Sequence, residues 1–111
     1  MKRVVCRTSV EGFHAWENAP EQFDFLKFRH HHFFNIVACF EVSHNDRDIE
    51  FIVKANEIKS YLENKYSKNG YCEFGNMSCE DIAEELISAF NGMQSCEVNE
   101  DGFGGAIIEK E

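Results

Sequence analysis

The sequence predicts an α+β fold in which two helices pack on one face of an antiparallel four-stranded sheet. Apolar residues alternate along residues 31–43, which is typical of a half-buried strand. Two later segments have apolar residues at helical spacing, and strand-like segments stand at both ends of the chain. The order is therefore β-β-α-α-β-β. A chain of 111 residues in this order fits a single domain over residues 1–111.

The first two strands are predicted on either side of an aromatic loop. Residues 3–13 are rich in Val and Thr and end close to Gly12, which is typical of a strand. Residues 15–29 form a loop with one Trp and three Phe, long enough to be functional or packed on itself. In residues 31–43 one face is fully apolar and the other is half apolar. Both faces of the sheet should therefore be partly covered, which favours self-association.

The two helices are predicted from different signals. The first begins near Phe51 and has an apolar stripe that extends to Tyr66. The second begins at Ser78, which can cap the helix together with Asp81 three residues later. Both helices are followed by an Asn-Gly pair, a common helix stop.

The last two strands, residues 95–99 and 105–110, flank a hairpin loop rich in Gly. An acidic segment, residues 97–101, leads into that loop. A carboxylate at a strand end can accept two parallel N–H bonds from an amidine-like or guanidine-like ring edge. A solvated acidic turn is the alternative interpretation.

Composition excludes some classes of partner. With 20 acidic against 11 basic residues and a net charge of −9, the chain lacks the basic patches that bind nucleic-acid polymers. No segment approaches the roughly 18 apolar residues of a membrane span. The N-terminal segment lacks the apolar stretch of a signal peptide, and the five cysteines are odd in number without a C-x-x-C pair. We therefore predict reduced thiols and a cytoplasmic location.

The strongest chemical pattern is a group of histidines at strand ends. His30 and His32 are two residues apart on a strand and point to the same face, and His14 ends the preceding strand. Three imidazoles can bind zinc and leave the fourth position for water or a ligand. Solvated histidines at the mouth of the sheet are the alternative.

Two further features have competing interpretations. Cys79 lies in the first turn of the second helix, where the helix dipole favours a thiolate, but a packed thiol is the interpretation we favour. The aromatic loop could stack on a flat ligand or form an oligomer contact, and we favour the contact.

Taken in order, these motifs resemble the 6-pyruvoyl-tetrahydropterin synthase and 6-carboxy-tetrahydropterin synthase family, which has the tunnelling (T-) fold. Phe-His ending at His14 is similar to the family's first zinc histidine, and residues 30–34 are similar to its His-Gly-His-x-Tyr motif. Residues 49–51 and 76–83 resemble the segments that open its two helices. Residues 98–100 resemble the late strand with its ring-anchoring glutamate.

The resemblance implies a site and an assembly. It implies zinc at His14, His30 and His32, and a pocket in which Glu100 anchors the 2-amino-4-oxo edge of a pterin. It also implies a homo-oligomer whose sheets join edge to edge into a β-barrel, with pockets at the subunit boundaries.

The chain departs from the family at the catalytic positions. Leu26 stands where the family has its catalytic cysteine, four residues before the His-x-His pair, and residues 59–95 contain no histidine. Proton abstraction and transfer need a base and an acid within reach of the substrate. We therefore expect little or no synthase activity.

Three hypotheses follow. The first is a divergent T-fold protein that binds zinc and a small flat heterocycle, namely a pterin, a purine or a nucleotide. The second is an active zinc-dependent lyase of this family, with Cys72, Cys79 or a residue of a neighbouring subunit transferring protons. The third is a non-enzymatic protein that sequesters a nucleotide or binds another protein.

Overall fold

The computed structural model describes residues Met1 to Glu111 and confirms a mixed α+β fold built on one sheet. The strands are β1 (Lys2–His14), β2 (His30–Val42), β3 (Ser67–Lys68), β4 (Tyr71–Glu73), β5 (Met93–Glu100) and β6 (Gly104–Glu109). The helices are α1 (Phe51–Tyr66) and α2 (Cys79–Ala89), with a 3₁₀ helix at Glu21–Leu26. The strands lie in the spatial order β3-β4-β1-β2-β5-β6. None of the helices is both long enough and apolar enough to cross a membrane.

The sheet has six strands, so the prediction of four was wrong. The additional strands β3 and β4 form a small hairpin around Asn69 and Gly70, which both have positive φ. Strands of two and three residues are too short to show alternation, and the Asn-Gly pair was interpreted only as a helix stop. β4 pairs in parallel with the end of β1, where a Cβ on Gly12 would lie 2.5 Å from the carbonyl oxygen of Cys72. Only glycine permits this close approach.

The connection between β1 and β2 is more ordered than the predicted loop. It contains the 3₁₀ helix, and the backbone N–H of Trp16 donates to the carbonyl of Leu26, 2.8 Å away. This bond closes the connection into a compact loop whose ends lie at the mouth of the sheet. The strands it joins are antiparallel over thirteen residue pairs, and His14 lies directly opposite His30.

Both helices pack on one face of the sheet, as predicted. Ile58 and Leu62 of α1 share a single core with Ile82 and Leu86 of α2 and with the inward residues of the strands. Each of these side chains is fully buried, which contributes about 1.5–3 kcal/mol relative to exposure. The predicted stripe of α1 is wrong at its start, because Phe51 remains 53% exposed.

The starts of the two helices are capped differently. In α2 the Ser78 hydroxyl accepts from the N–H of Asp81, and the Asp81 carboxylate accepts from the N–H of Ser78. This capping box is the one predicted from the sequence. In α1 the Glu50 carboxylate accepts from the N–H of Ile52.

The sheet keeps open edges and one open face. β4 pairs with β1 only at Gly12 and Phe13, so the earlier part of β1 has no second neighbouring strand. The strand order places β3 at one edge of the sheet and β6 at the other. On the face away from the helices, Val5 and Ile107 are exposed. Unpaired strand edges of this kind are available for pairing with another chain.

Candidate functional site

The three histidines predicted from the sequence converge at the end of the sheet where β1 ends and β2 begins. One ring nitrogen from each of His14, His30 and His32 lies within 4.8 Å of the others. Their ring centroids are 4.6 Å apart for His14 and His30, 5.3 Å for His14 and His32, and 5.0 Å for His30 and His32. The register of β1 against β2 brings His14 beside the other two, and strand alternation directs His30 and His32 to one side. The three histidines could therefore hold a metal ion.

The intervening histidine faces the opposite side of the sheet. His31 Nε2 lies 2.7 Å from a carboxylate oxygen of Glu11 on the facing strand, and the His31 ring packs edge-on against Phe13. His31 is therefore excluded from the cluster by the same alternation that brings its two neighbours into it.

Each histidine of the cluster is oriented through its Nδ1 atom. Every one of these atoms lies within hydrogen-bond distance of an oxygen that only accepts: the Met77 carbonyl for His14 (2.8 Å), the Phe28 carbonyl for His30 (2.8 Å) and the Asp101 carboxylate for His32 (2.6 Å). Nδ1 must then carry the proton and donate, which leaves Nε2 as the metal-binding atom. Outer hydrogen bonds of this kind are typical of metal-binding histidines, so the donor set fits a metal.

Asp101 is a site residue that the sequence indicated only as part of an acidic segment. It has a φ of 57°, and its carboxylate accepts from both His32 and the backbone N–H of Phe33. The Phe33 N–H bond and the His32 bond together lower the pKa of Asp101. The side chain therefore remains a carboxylate and links the end of β5 to the histidines of β2.

Glu100 brings a second carboxylate directly against the histidines. Its Oε2 lies 3.1 Å from His14 Nε2, and its Oε1 lies 3.3 Å from His32 Nε2. The Cys79 thiol donates to Oε2 at 3.5 Å. Hydrogen bonding from His14 lowers the pKa of Glu100 and outweighs burial, which acts in the opposite direction. Of the predicted acidic segment, Glu100 and Asp101 reach the cluster, whereas Glu97 accepts from Asn99 elsewhere on the sheet.

His14 is the most buried member of the cluster, at 9% exposure. Burial by itself would lower its pKa, but the bonds to Glu100 and to the Met77 carbonyl raise the pKa above the ordinary value. Both ring nitrogens face acceptor oxygens, which favours the doubly protonated imidazolium. A proton and a metal ion compete for Nε2 at such a site.

A cavity of about 400 Å³ adjoins the cluster. His14, His30 and Glu100 line it, together with Trp16, Leu26 and Cys79. The volume lies within the range of small-molecule pockets. The Trp16 ring, which stacks on Phe23 with centroids 5.8 Å apart, gives the cavity an aromatic surface.

The two cysteines predicted as possible proton-transfer groups, Cys79 and Cys72, are both neutral thiols, one at the cavity and the other in the core. Burial and the nearby Glu100 charge raise the pKa of Cys79 to about 12, and Cys79 lines the cavity. Burial raises the pKa of Cys72 to about 11, and its thiol lies 3.8 Å from the Leu62 carbonyl in the core. A thiolate is the reactive form of cysteine, so neither residue is set up as a nucleophile or base at neutral pH.

Comparison of the chain with protein-family models and with curated protein sequences finds no match. The interpretation of the site therefore rests on the geometry of this chain, namely the register of β1 against β2 and the hydrogen bonds of the histidines. Three imidazole donors suit zinc, copper, iron or nickel.

Proposed function

We propose that this protein is a divergent T-fold protein, similar to the 6-pyruvoyl- and 6-carboxy-tetrahydropterin synthases, that binds zinc and a flat pterin-, purine- or nucleotide-like ring with little or no synthase activity. One observation supports this most strongly. His14, His30 and His32 converge beside Glu100 at the wall of a cavity large enough for such a ring. The same four residues are those that the family resemblance assigns to zinc and to the ring.

The metal would be held by the three Nε2 atoms. The carbonyl and carboxylate partners of the Nδ1 atoms orient the imidazoles. For His32, this partner is the Asp101 carboxylate. Three protein ligands leave one position for a ligand atom from the cavity. When bound, zinc supplies a positive charge that attracts an oxygen or nitrogen of the ring.

The cavity offers complementary surfaces for a flat ring. Glu100 provides a carboxylate that can accept N–H bonds from a ring edge, and Trp16 provides an aromatic surface for stacking. Leu26 adds an apolar wall. This combination of mostly apolar surface with a few polar groups is typical of small-molecule sites.

Binding without turnover is favoured over the lyase hypothesis by the groups around the cavity. Leu26 lines the cavity at the position where the family has its catalytic cysteine, and an aliphatic side chain cannot transfer a proton. The pKa of Cys79, about 12, keeps that thiol protonated at neutral pH. General acid–base chemistry needs a group whose pKa lies near the working pH.

The open edges of the sheet support a homo-oligomer. The free part of β1 and the whole of β6 lie at opposite sides of one sheet, so one copy can add its β1 to the β6 of the next. Closure of such a ring pairs the free part of β1 and the free side of β6 in every subunit. Gly104 and Gly105 of β6 line the cavity, so a neighbouring subunit paired there would border it.

Native mass spectrometry of untagged protein, purified without added metal, tests the proposal. We expect an oligomer with about one zinc per chain, and binding of neopterin or guanosine that is lost in Glu100→Ala and kept in the matched Glu97→Ala control. A metal-free protein that binds none of these rings would overturn it. Efficient conversion of dihydroneopterin triphosphate would favour the lyase instead.

A further inference from the structure

We propose that Glu100 is itself a metal ligand when no ring is bound, so that four protein side chains close the site. The inference rests on the metal-binding half of the proposed function. It adds that a ring must displace Glu100 from the metal in order to bind. In the family resemblance, Glu100 has only the role of ring anchor.

The orientation of the carboxylate supports this role. Both of its oxygens are turned toward the metal-binding atoms of the cluster, 3.1 Å from His14 Nε2 and 3.3 Å from His32 Nε2. Donor atoms about 2.0–2.1 Å from a tetrahedral zinc lie about 3.3 Å from one another. Oε2 is therefore at the separation from His14 Nε2, and Oε1 at the separation from His32 Nε2, that is expected between two ligands of one ion. A ring anchor would instead need both oxygens free to accept from the cavity.

The other carboxylate in contact with the cluster already has hydrogen-bond partners for both of its oxygens. The Asp101 carboxylate is occupied by His32 Nδ1 and by the N–H of Phe33. The Cys79 thiol donates to Glu100 Oε2, the oxygen that also lies beside His14 Nε2. Glu100 is thus the carboxylate that contacts Nε2 atoms of the cluster, and its side chain is 30% exposed.

The consequence is competition between metal and ring for one carboxylate. Glu100 cannot coordinate a metal with its oxygens and accept a bidentate ring edge at the same time. A ring that draws Glu100 away opens a coordination position, into which one of its own atoms can enter. Ligands that share a group in this way are linked reciprocally, so the ring must change metal affinity as much as the metal changes ring affinity.

Cobalt substitution and zinc titration test the inference without any activity assay. We expect Glu100→Gln to weaken zinc binding by more than about 100-fold, beyond the 10–100-fold typical of outer-shell changes. The visible spectrum of the Co²⁺ protein should change in the same variant, because the spectrum depends on ligand type and geometry. Glu97→Gln, which removes the same charge from the same strand, should alter neither. Circular dichroism of each variant checks the fold.

Azide provides a second measurement on the unmodified protein. If Glu100 closes the site, azide leaves the Co²⁺ spectrum of the wild type unchanged and alters that of Glu100→Gln, in which a position is open. An azide response in the wild type, or zinc affinity and Co²⁺ spectrum unchanged in Glu100→Gln, would overturn the inference and leave an open three-histidine site that can still bind a ring. Conversely, a Glu100-dependent spectrum in a protein that binds neither neopterin nor guanosine would support the inference while the proposed function fails. A wild-type protein that takes up neither zinc nor cobalt would overturn it outright.

Discussion

Two carboxylates of this protein, Glu100 and Glu85, are similarly exposed but have different hydrogen-bond partners. Glu85 lies on α2 and accepts from the hydroxyls of Tyr61 and Tyr66, while Lys65 Nζ lies 2.9 Å from it. Glu100 at the end of β5 contacts two histidines and the Cys79 thiol. Their side chains are 21% and 30% exposed, so burial alone does not distinguish them.

The pKa is lowered at both carboxylates. At Glu85 burial acts to raise the pKa, but bonds from Tyr66, Lys65 and Tyr61 outweigh it. At Glu100 the bond from His14 is the largest influence, and burial opposes it. A shifted pKa therefore does not by itself separate a functional carboxylate from a structural one.

The difference lies in the partners and in the space beside them. The Tyr66 hydroxyl keeps its proton, because burial and the Glu85 contact raise its pKa to about 12. Its bond to Glu85 ties α1 to α2. The Nε2 atoms beside Glu100 can exchange a proton for a metal ion, and a cavity of about 400 Å³ adjoins them. Glu100 therefore lies beside residues that could hold a metal ion and beside a cavity.

Removal of a metal ligand should give the largest effect. In His32→Ala we expect zinc affinity to fall by more than about 100-fold, because a direct ligand contributes more than an outer-shell group. Competition with a chromogenic chelator measures the affinity. The matched control is His44→Ala, since His44 is exposed and lies near Asp48 rather than in the cluster. An equal loss in both variants would refute the assignment.

The outer carboxylate should have the next largest effect. Asp101→Asn keeps an oxygen for the N–H of Phe33 but removes the charge beside His32 Nδ1. We expect zinc affinity to fall by about 10–100-fold in the same assay. Asp46→Asn is the control, because Asp46 is exposed and pairs only with Arg47 next to it. Unchanged affinity in Asp101→Asn would show that Asp101 has no part in orienting the ligand.

The Glu85 cluster should respond in stability and not in metal binding. We expect Glu85→Gln to lower the free energy of unfolding by about 1–2 kcal/mol, because charged hydrogen bonds between the helices become neutral ones. Urea denaturation measures this change, with the neighbouring exposed Glu84→Gln expected to stay within about 0.5 kcal/mol of wild type. A reduced zinc affinity in Glu85→Gln would show that the Glu85 cluster and the histidine site are not independent.

The smallest effect should be a pH dependence at the same residue. The pKa of Glu85 in the folded protein lies below its ordinary value of 4.5, so the unfolded chain takes up the proton first as pH falls. The stabilising contribution of Glu85 is therefore complete above about pH 4.5 and is lost as the pH falls through the lower folded pKa.

Urea titrations of wild type and Glu85→Gln, with a chelator present, can measure this loss. We expect the difference in unfolding free energy to be constant near neutral pH and to shrink below about pH 4.5. The chelator removes the contribution of metal bound at the histidines. A difference that stays constant down to about pH 3 would contradict the charged-acceptor role of Glu85.

Much of the site could be predicted from local patterns. Strand alternation placed His30 and His32 on one face and His31 on the other, since successive side chains on a strand point to opposite sides. The capping box of α2 was also predicted, because both of its hydrogen bonds lie within four residues of sequence. The third histidine of the cluster, His14, was predicted from its place at a strand end.

The sequence by itself determined the order of the main helices and strands, the inward face of β2 and the residue types able to bind a metal. Only the tertiary structure decided that His14 lies opposite His30, that His14 Nδ1 meets the Met77 carbonyl, and that Glu100 lies beside two of the histidines. The physical reason is the nature of the contacts. Strand register and backbone carbonyls carry no residue-specific pattern, and a glutamate at a strand end takes its role from partners up to 86 residues away in the chain.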